Sequence, residues 1–308
     1  MNRSGIGLLL AAIAATLSTE ATAARFSLES PAEGIYLHRG AQADASPANG
    51  GDIANIGFII GSRCVAVIDS GGTAAIGSAL LAAIRKLTDK PVCYLIHTHV
   101  HPDHGFGDVA FAGSETVFVA HAEFPAALAA RRDHYRAALR QTLGDAASGS
   151  EIAVPTRLIS GEQMLDIGDR TLVLRAWPTA HSNTDLTVFD LRTQTLWTGD
   201  LLFVDRIPVV DGKALGWMMA IDALIAMKPA HLIPGHGPLS RSAEVAFTAQ
   251  RNYLHKLITE CRSALGNGIT LSGAVETIGF DENKHWLLFD EYHRRNVTAV
   301  YTELEWEE

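Results

Sequence analysis

A continuous apolar run over residues 91–96 ends abruptly in His97-Thr98-His99-Val100-His101-Pro102-Asp103-His104-Gly105. The run reads as a buried strand, and the His-rich stretch after it as a loop at a strand end, where functional groups are most often carried. His99 and His101 alternate and can face one ion together, while Asp103 and His104, just beyond, can face a second. Neutral imidazoles and carboxylates at this density are the donors that zinc and similar divalent ions prefer. In a chain with 13 histidines, an H-x-H-x-D-H stretch arises by chance in about one chain in a thousand.

The remaining sequence supplies a scaffold for that loop. Of 308 residues, 47% are hydrophobic and 19% charged, which suits one large α/β domain or two small ones and not a disordered chain. Residues 34–39 and 53–60 read as strands, separated by a Gly/Ala/Ser/Pro-rich loop over 41–51. Residues 64–69 read as a buried strand running into the turn Ser70-Gly71-Gly72. Ala74–Leu87 has helical spacing, with Arg85 and Lys86 in its last turn. A strand over 117–120 and an amphipathic helix over 125–143 come next, then a surface loop over 144–149. Further strands are predicted at 162–167, 171–176, 185–190, 195–197 and 231–233, with a helix around 217–227 and a mainly helical remainder from Ser242. Strands alternating with helices in both halves predict two sheets flanked by helices.

Three features bear on compartment and partners. Asn2 and Arg3, an apolar stretch over 5–17 and Ala21-Thr22-Ala23 have the form of a secretory signal peptide over residues 1–23, implying the periplasm. No later segment reads as transmembrane. Cys64, Cys93 and Cys261 form no C-x-x-C pair. Buried, inert thiols are expected at Cys64 and Cys93, with a bridge between them as the alternative, and an odd count leaves at least one thiol unpaired within the chain. A net charge of −9 argues against a nucleic-acid partner but identifies no substrate; a small-molecule substrate is expected from the metal motifs.

Later motifs complete a pattern. Asp69 closes Val67-Ile68-Asp69-Ser70-Gly71, His181 lies in Thr179-Ala180-His181-Ser182-Asn183-Thr184-Asp185, Asp200 ends Leu196-Trp197-Thr198-Gly199-Asp200, and His236 lies in Ile233-Pro234-Gly235-His236-Gly237. With His99, His101, Asp103 and His104, these resemble the ordered signature of the metallo-β-lactamase superfamily. The resemblance implies an αββα sandwich, two mixed sheets flanked by helices, over residues 24–241, with a helical C-terminal extension over 242–308. It implies that His99, His101 and His181 hold one metal, that Asp103, His104 and His236 hold another, and that Asp200 reaches both. Two Zn²⁺ ions are expected, with iron or manganese as alternatives, ionising water near neutral pH. Asp103 would also serve as the catalytic carboxylate that orients the nucleophile and relays its proton. Asp69 would brace the metal loop by hydrogen bonds rather than bind metal. His97 is expected to pack beneath the site, His121 to be a partly buried polar residue, and His38, His134, His231, His255 and His285 to be structural or superficial.

Asp200 stands where zinc β-lactamases carry Cys or Ser, and in this the site is similar to glyoxalase II and to other ester and thioester hydrolases of the superfamily. Stretches 51–55, 206–212, 292–297 and 303–305 resemble the exported SoxH-like group, the quinoprotein relay system zinc metallohydrolases. The expected function is an exported dinuclear zinc hydrolase acting on a small thioester, ester or lactam. Alternatives are a zinc β-lactamase proper, an iron-dependent sulfur dioxygenase-like enzyme, or a non-catalytic periplasmic metal-binding partner of a quinoprotein redox system. Arg206, Lys213 and Trp217 are expected to line the substrate pocket, and His293, Arg294 and Arg295 to form a surface basic patch.

Overall fold

The computed structural model describes residues 26–113 and 115–307, so the expected signal peptide lies outside the described residues. One sheet holds β1 (Glu29–Ala32), β2 (Ile35–His38), β3 (Ile56–Ile60), β4 (Val65–Ile68), β5 (Val92–Ile96), β6 (Val117–His121) and β7 (Arg157–Ile159), side by side in chain order. β1 to β4 pair antiparallel and β4 to β7 parallel. The parallel neighbours need crossovers, which α1 (Ala74–Leu87), the short α2 (Pro102–Gly105) and α3 (Phe124–Leu143) help to supply. The second sheet holds β8 (Glu162–Asp166), β9 (Thr171–Ala176), β10 (Leu186–Asp190), β11 (Thr195–Phe203) and β12 (His231–His236), ordered β12-β11-β10-β9-β8. Only β11 and β12 run parallel there, linked through α4 (Ala214–Ala226). Three more helices complete the chain: α5 (Ala243–Gly266), α6 (Leu271–Thr277) and α7 (Phe289–Glu305).

Strand alternation sorts the apolar residues into stacked layers. Val65 and Val67 of β4 face Ile76, Leu80 and Ile84 of α1, whereas Ala66 and Ile68 face Leu186, Val188 and Trp197 of the second sheet. Leu196 and Leu232, on that sheet's far side, pack with Leu224, Tyr253, Leu254 and Val297 from α4, α5 and α7. The result is the αββα sandwich, with the C-terminal helices sharing the core of the second sheet. Arg170 ties the sheets together: it makes two 2.9 Å bonds to Asp190 and also donates to the carbonyls of Ile60 and Glu33. Removing either partner of so buried a pair should cost about 3–5 kcal/mol. Among the described residues no helix is long and apolar enough to cross a membrane.

Several expectations need correction. Cys64 and Cys93 are not free thiols; they form a disulfide between the residue just before β4 and the neighbouring strand β5, with Cα atoms 5.8 Å apart. Cys261 is free and buried, and burial pushes its thiol up to about 12. β11 extends to Phe203, well past the expected 195–197. Its register shifts on both sides of Gly199, whose φ of +51° breaks the apolar rhythm that sequence reading relies on. β1 and β7, of four and three residues, were not expected as strands.

Candidate metal centre

The site is assembled from the ends of β4, β5 and β12, the connection between β9 and β10, and the interior of β11. Asp69 directly follows β4 and has φ of +55°, a left-handed conformation that Asp tolerates better than most residues. Its Oδ1 accepts from the Thr98 backbone at 2.8 Å, and its Oδ2 from Thr98 Oγ1 at 2.7 Å and His104 Nδ1 at 2.8 Å. The loop after β5 is thereby folded around one carboxylate. Asp200 lies beyond the irregularity in β11, where a Cβ on Gly199 would come 2.5 Å from Thr98, so that the bare backbone lets β11 close on the loop. A Cβ on Gly235 would meet Asp200 Oδ1 at 1.9 Å, so glycine is needed beside the residue that places His236. Asn55 fixes that same corner through bonds to the carbonyls of Pro234 and Gly237.

The seven expected ligands converge in two groups: His99, His101, His181 and Asp200, and Asp103, His104 and His236, with the donor atoms of each group within 4.8 Å of one another. Asp200 reaches across, 3.2 Å from His104 Nε2 and 3.5 Å from the Nε2 atoms of His99, His181 and His236. Each imidazole is bound on its outward nitrogen: His99 to Thr98 Oγ1, His101 to Asp211, His104 to Asp69, His181 to the Val209 carbonyl and His236 to the Ile53 carbonyl. Outward N–H groups leave inward lone pairs. His101 Nδ1 and His181 Nε2 face each other at 3.0 Å, where they share a proton or turn both lone pairs to one cation. The buried Nε2 atoms of His99 and His104 and Oδ1 of Asp200 lack hydrogen-bond partners within the chain. Outer partners fixing the tautomers of convergent, unpartnered donors suit a metal centre.

Charge separates the two groups. Burial, with His104 adding to it, lowers His99 well below the ordinary imidazole value, and burial takes His181 down to about 4. His104 and His236 are raised despite burial, chiefly by Asp200. Asp200 and Asp103 are held low despite burial, Asp200 chiefly by His236 and Asp103 chiefly by His104.

The centre opens into a cavity of about 370 Å³ lined among others by His101, Asp103, Arg131, Arg206, Tyr292 and Arg295. Arg206 is thus at the pocket as expected, but Lys213 and Trp217 are not. Lys213 is exposed at the start of α4, and Trp217 is fully buried, its ring 5.3 Å from that of His181 and its Nε1 bound to the Leu201 carbonyl. The expected surface patch divides as well: His293 is buried, Arg294 is exposed beside Glu276, and Arg295 borders the cavity. His134 also lines the cavity, and His38 is buried against Asp52. His97 packs beneath the site on Phe124 and pairs with Asp108. Sequence reading passed over Asp211, whose carboxylate binds His101 at 3.1 Å and lies near Arg131 and Arg295.

A family model described as the metallo-beta-lactamase superfamily matches residues 49–236. The chain belongs to this superfamily. Among solved structures, the stereoselective inverting sec-alkylsulfatase from Pseudomonas sp. matches with TM-score 0.67 and 18% identity, over 89% of this chain and 49% of that one. A metallo-beta-lactamase from Pontibacter korlensis matches with TM-score 0.60 and 16% identity, over 74% of this chain and 98% of that one. A 51-residue stretch is 39% identical to the linear primary-alkylsulfatase of Pseudomonas sp., covering 17% of this chain and 10% of that protein. This superfamily member therefore spans about half the length of the alkylsulfatase structure, and the structural likenesses are ones of fold.

Proposed function

We propose that the chain is a dinuclear metal hydrolase, with zinc as the ion its donor set suits best. The observation that carries this reading is the convergence of seven donors whose imidazoles are all fixed from outside. Bound ions would lower the pKa of water from about 15.7 to about 7 and polarise the bond under attack. The protein's side chains supply approach, orientation and proton handling. Only Asp103 and His101 among the seven open appreciably to the cleft, their side chains 19% and 15% exposed against 4% or less for the others. A substrate therefore meets the centre beside Asp103, whose carboxylate is kept ionised and can accept a hydrogen bond from the attacking water and orient it. Arg131, Arg206 and Arg295 around the same cavity suit a substrate carrying an anionic group.

The substrate class proposed is accordingly a small thioester, ester or lactam with a negative charge near the scissile bond. A second reading, a sulfate ester, is supported by the same arginines and by the likeness to alkylsulfatases. Export is part of the proposal, since disulfides such as Cys64–Cys93 persist mainly in oxidising compartments. Membership of the SoxH-like group, with a quinoprotein redox partner, is proposed from stretches 206–212 and 292–297, parts of which line the cleft.

The test is metal analysis of the purified chain, then turnover of p-nitrophenyl esters, a thioester, nitrocefin and an alkyl sulfate. Two zinc ions per chain and turnover lost in His101→Ala are expected. Full activity after metal removal would overturn the proposal, and iron with oxygen-dependent chemistry would favour a dioxygenase.

A further inference from the structure

The C-terminal helix reaches the centre through one loop. Residues 204–213 connect β11 to α4, and in passing offer the Val209 carbonyl to His181 Nδ1 at 2.7 Å and the Asp211 carboxylate to His101 Nε2 at 3.1 Å. The loop is laced to the segment that carries His181: Asp211 N donates to the His181 carbonyl at 3.1 Å and Lys213 N to the Ala180 carbonyl at 2.8 Å. A Cβ on Gly212 would lie 2.3 Å from that Ala180 oxygen, so the two stretches are in backbone contact.

From the other side α7 grips the same loop. Asn296 Oδ1 accepts from Val210 N at 2.9 Å, and its Nδ2 donates to the Pro208 carbonyl at 2.7 Å. The second Nδ2 hydrogen goes to Tyr253 Oη at 3.0 Å, Tyr253 donates to His293 Nδ1 at 3.0 Å, and His293 Nε2 donates to the Ile278 carbonyl at 2.7 Å. Asn296 and Tyr253 are fully buried and His293 nearly so. Both N–H groups of Asn296 are thereby used and its oxygen is engaged, so its orientation is fixed from α5, the end of α6 and α7 together. Burial lowers the pKa of His293, in keeping with the neutral imidazole that this chain of bonds requires.

We infer that Asn296 is a positioning residue for one half of the metal centre: it fixes the 208–210 backbone and so orients His181 and, through Asp211, His101. The other half is braced by Asp69 and the Ile53 carbonyl, which Asn296 does not touch. This rests on the reading of the two groups as metal sites.

The experiment is zinc titration of metal-free full-length chain against a chromogenic chelator, resolving two equivalents. Asn296→Ala should weaken one equivalent about tenfold, the low end for outer partners of metal ligands, and leave the other unchanged. Tyr253→Phe, which deletes only a hydroxyl, should weaken the same equivalent about threefold and serves if Asn296→Ala does not fold. Asp211→Asn identifies that equivalent by affecting it too. Leu304→Ala loosens α7 at its far end, where Leu304 is buried, and should leave both equivalents as in wild type. Unchanged binding in the Asn296 and Tyr253 variants overturns the inference, as does an equal loss in Leu304→Ala. A wild-type chain that binds no zinc overturns the metal reading itself, and this inference with it.

Discussion

The two ligand groups meet in one cleft yet are held from opposite ends of the chain. His104 and His236 owe their orientation to Asp69, after β4, and to the Ile53 carbonyl, just before β3. His101 and His181 owe theirs to Asp211 and Val209, in a loop that the C-terminal helix grips. Their charge differs too. His99 and His181 are pushed toward the neutral form by burial, whereas Asp200 above all raises His104 and His236 despite it. The second group and, through Thr98, His99 are held from the first sheet, whereas His101 and His181 are held by a loop, so damage to that loop should tell on the first group alone.

The largest effect should come from the residue the halves share. Asp200→Ala removes a donor that stands within 3.5 Å of four histidine nitrogens. Metal content should fall below two equivalents and activity by more than the 10–100-fold typical of losing an outer partner. Two full equivalents in this variant would show that the groups do not depend on a common carboxylate. Next in size is Asp69→Ala, which strands the Thr98 backbone N–H, the Thr98 hydroxyl and His104 Nδ1. Each orphaned group costs about 1–3 kcal/mol, so the unfolding midpoint in urea should drop along with affinity at the second group, and, because Thr98 is also the outer partner of His99, affinity at the first group should fall to a smaller extent. Smaller again is Asp211→Asn, since the amide oxygen can still accept from His101. About tenfold weaker binding at the first group alone is expected, measured by the same chelator competition. Equal loss at both groups in Asp211→Asn, whose contact is with His101 alone among the ligands, would collapse the distinction between them.

How much of the molecule was legible in its sequence obeys the same division. The metal ligands sit in compact motifs at strand ends, where an abrupt change from apolar to His- and Asp-rich sequence marks them without reference to anything distant. Asp69 was legible for the same reason, closing a buried strand before Ser70 and two glycines. Asp211, Asn296 and Tyr253 were not, because each acts through a partner 40 to 110 residues away that no local spacing reveals. Trp217 misled in the opposite sense: a large aromatic near the expected pocket reads as lining, but it packs behind His181 because its ring fills the core of the second sheet. The α1 boundaries matched, helped by Thr73 accepting from Ile76 N at the start and the basic pair at the end. The length of β11 did not, since an interior glycine reads as a stop.

The weakest effect on the centre should come from the strongest covalent link in the fold. The Cys64–Cys93 bridge closes a sequence separation of 29 residues, which in the chain-entropy view contributes about 3–4 kcal/mol to stability. It sits just ahead of β4, whereas Asp69 lies past that strand's far end, roughly 16 Å away at about 3.3 Å per residue. Replacing both cysteines by alanine should therefore lower the unfolding midpoint clearly while leaving both zinc equivalents within about twofold, since the loop bonds to Asp69 and Asp211 are untouched. If either equivalent weakened tenfold, the anchoring of each group would have to be spread through the whole sheet rather than held by the few bonds at its end, and the contrast between the halves would lose its physical basis.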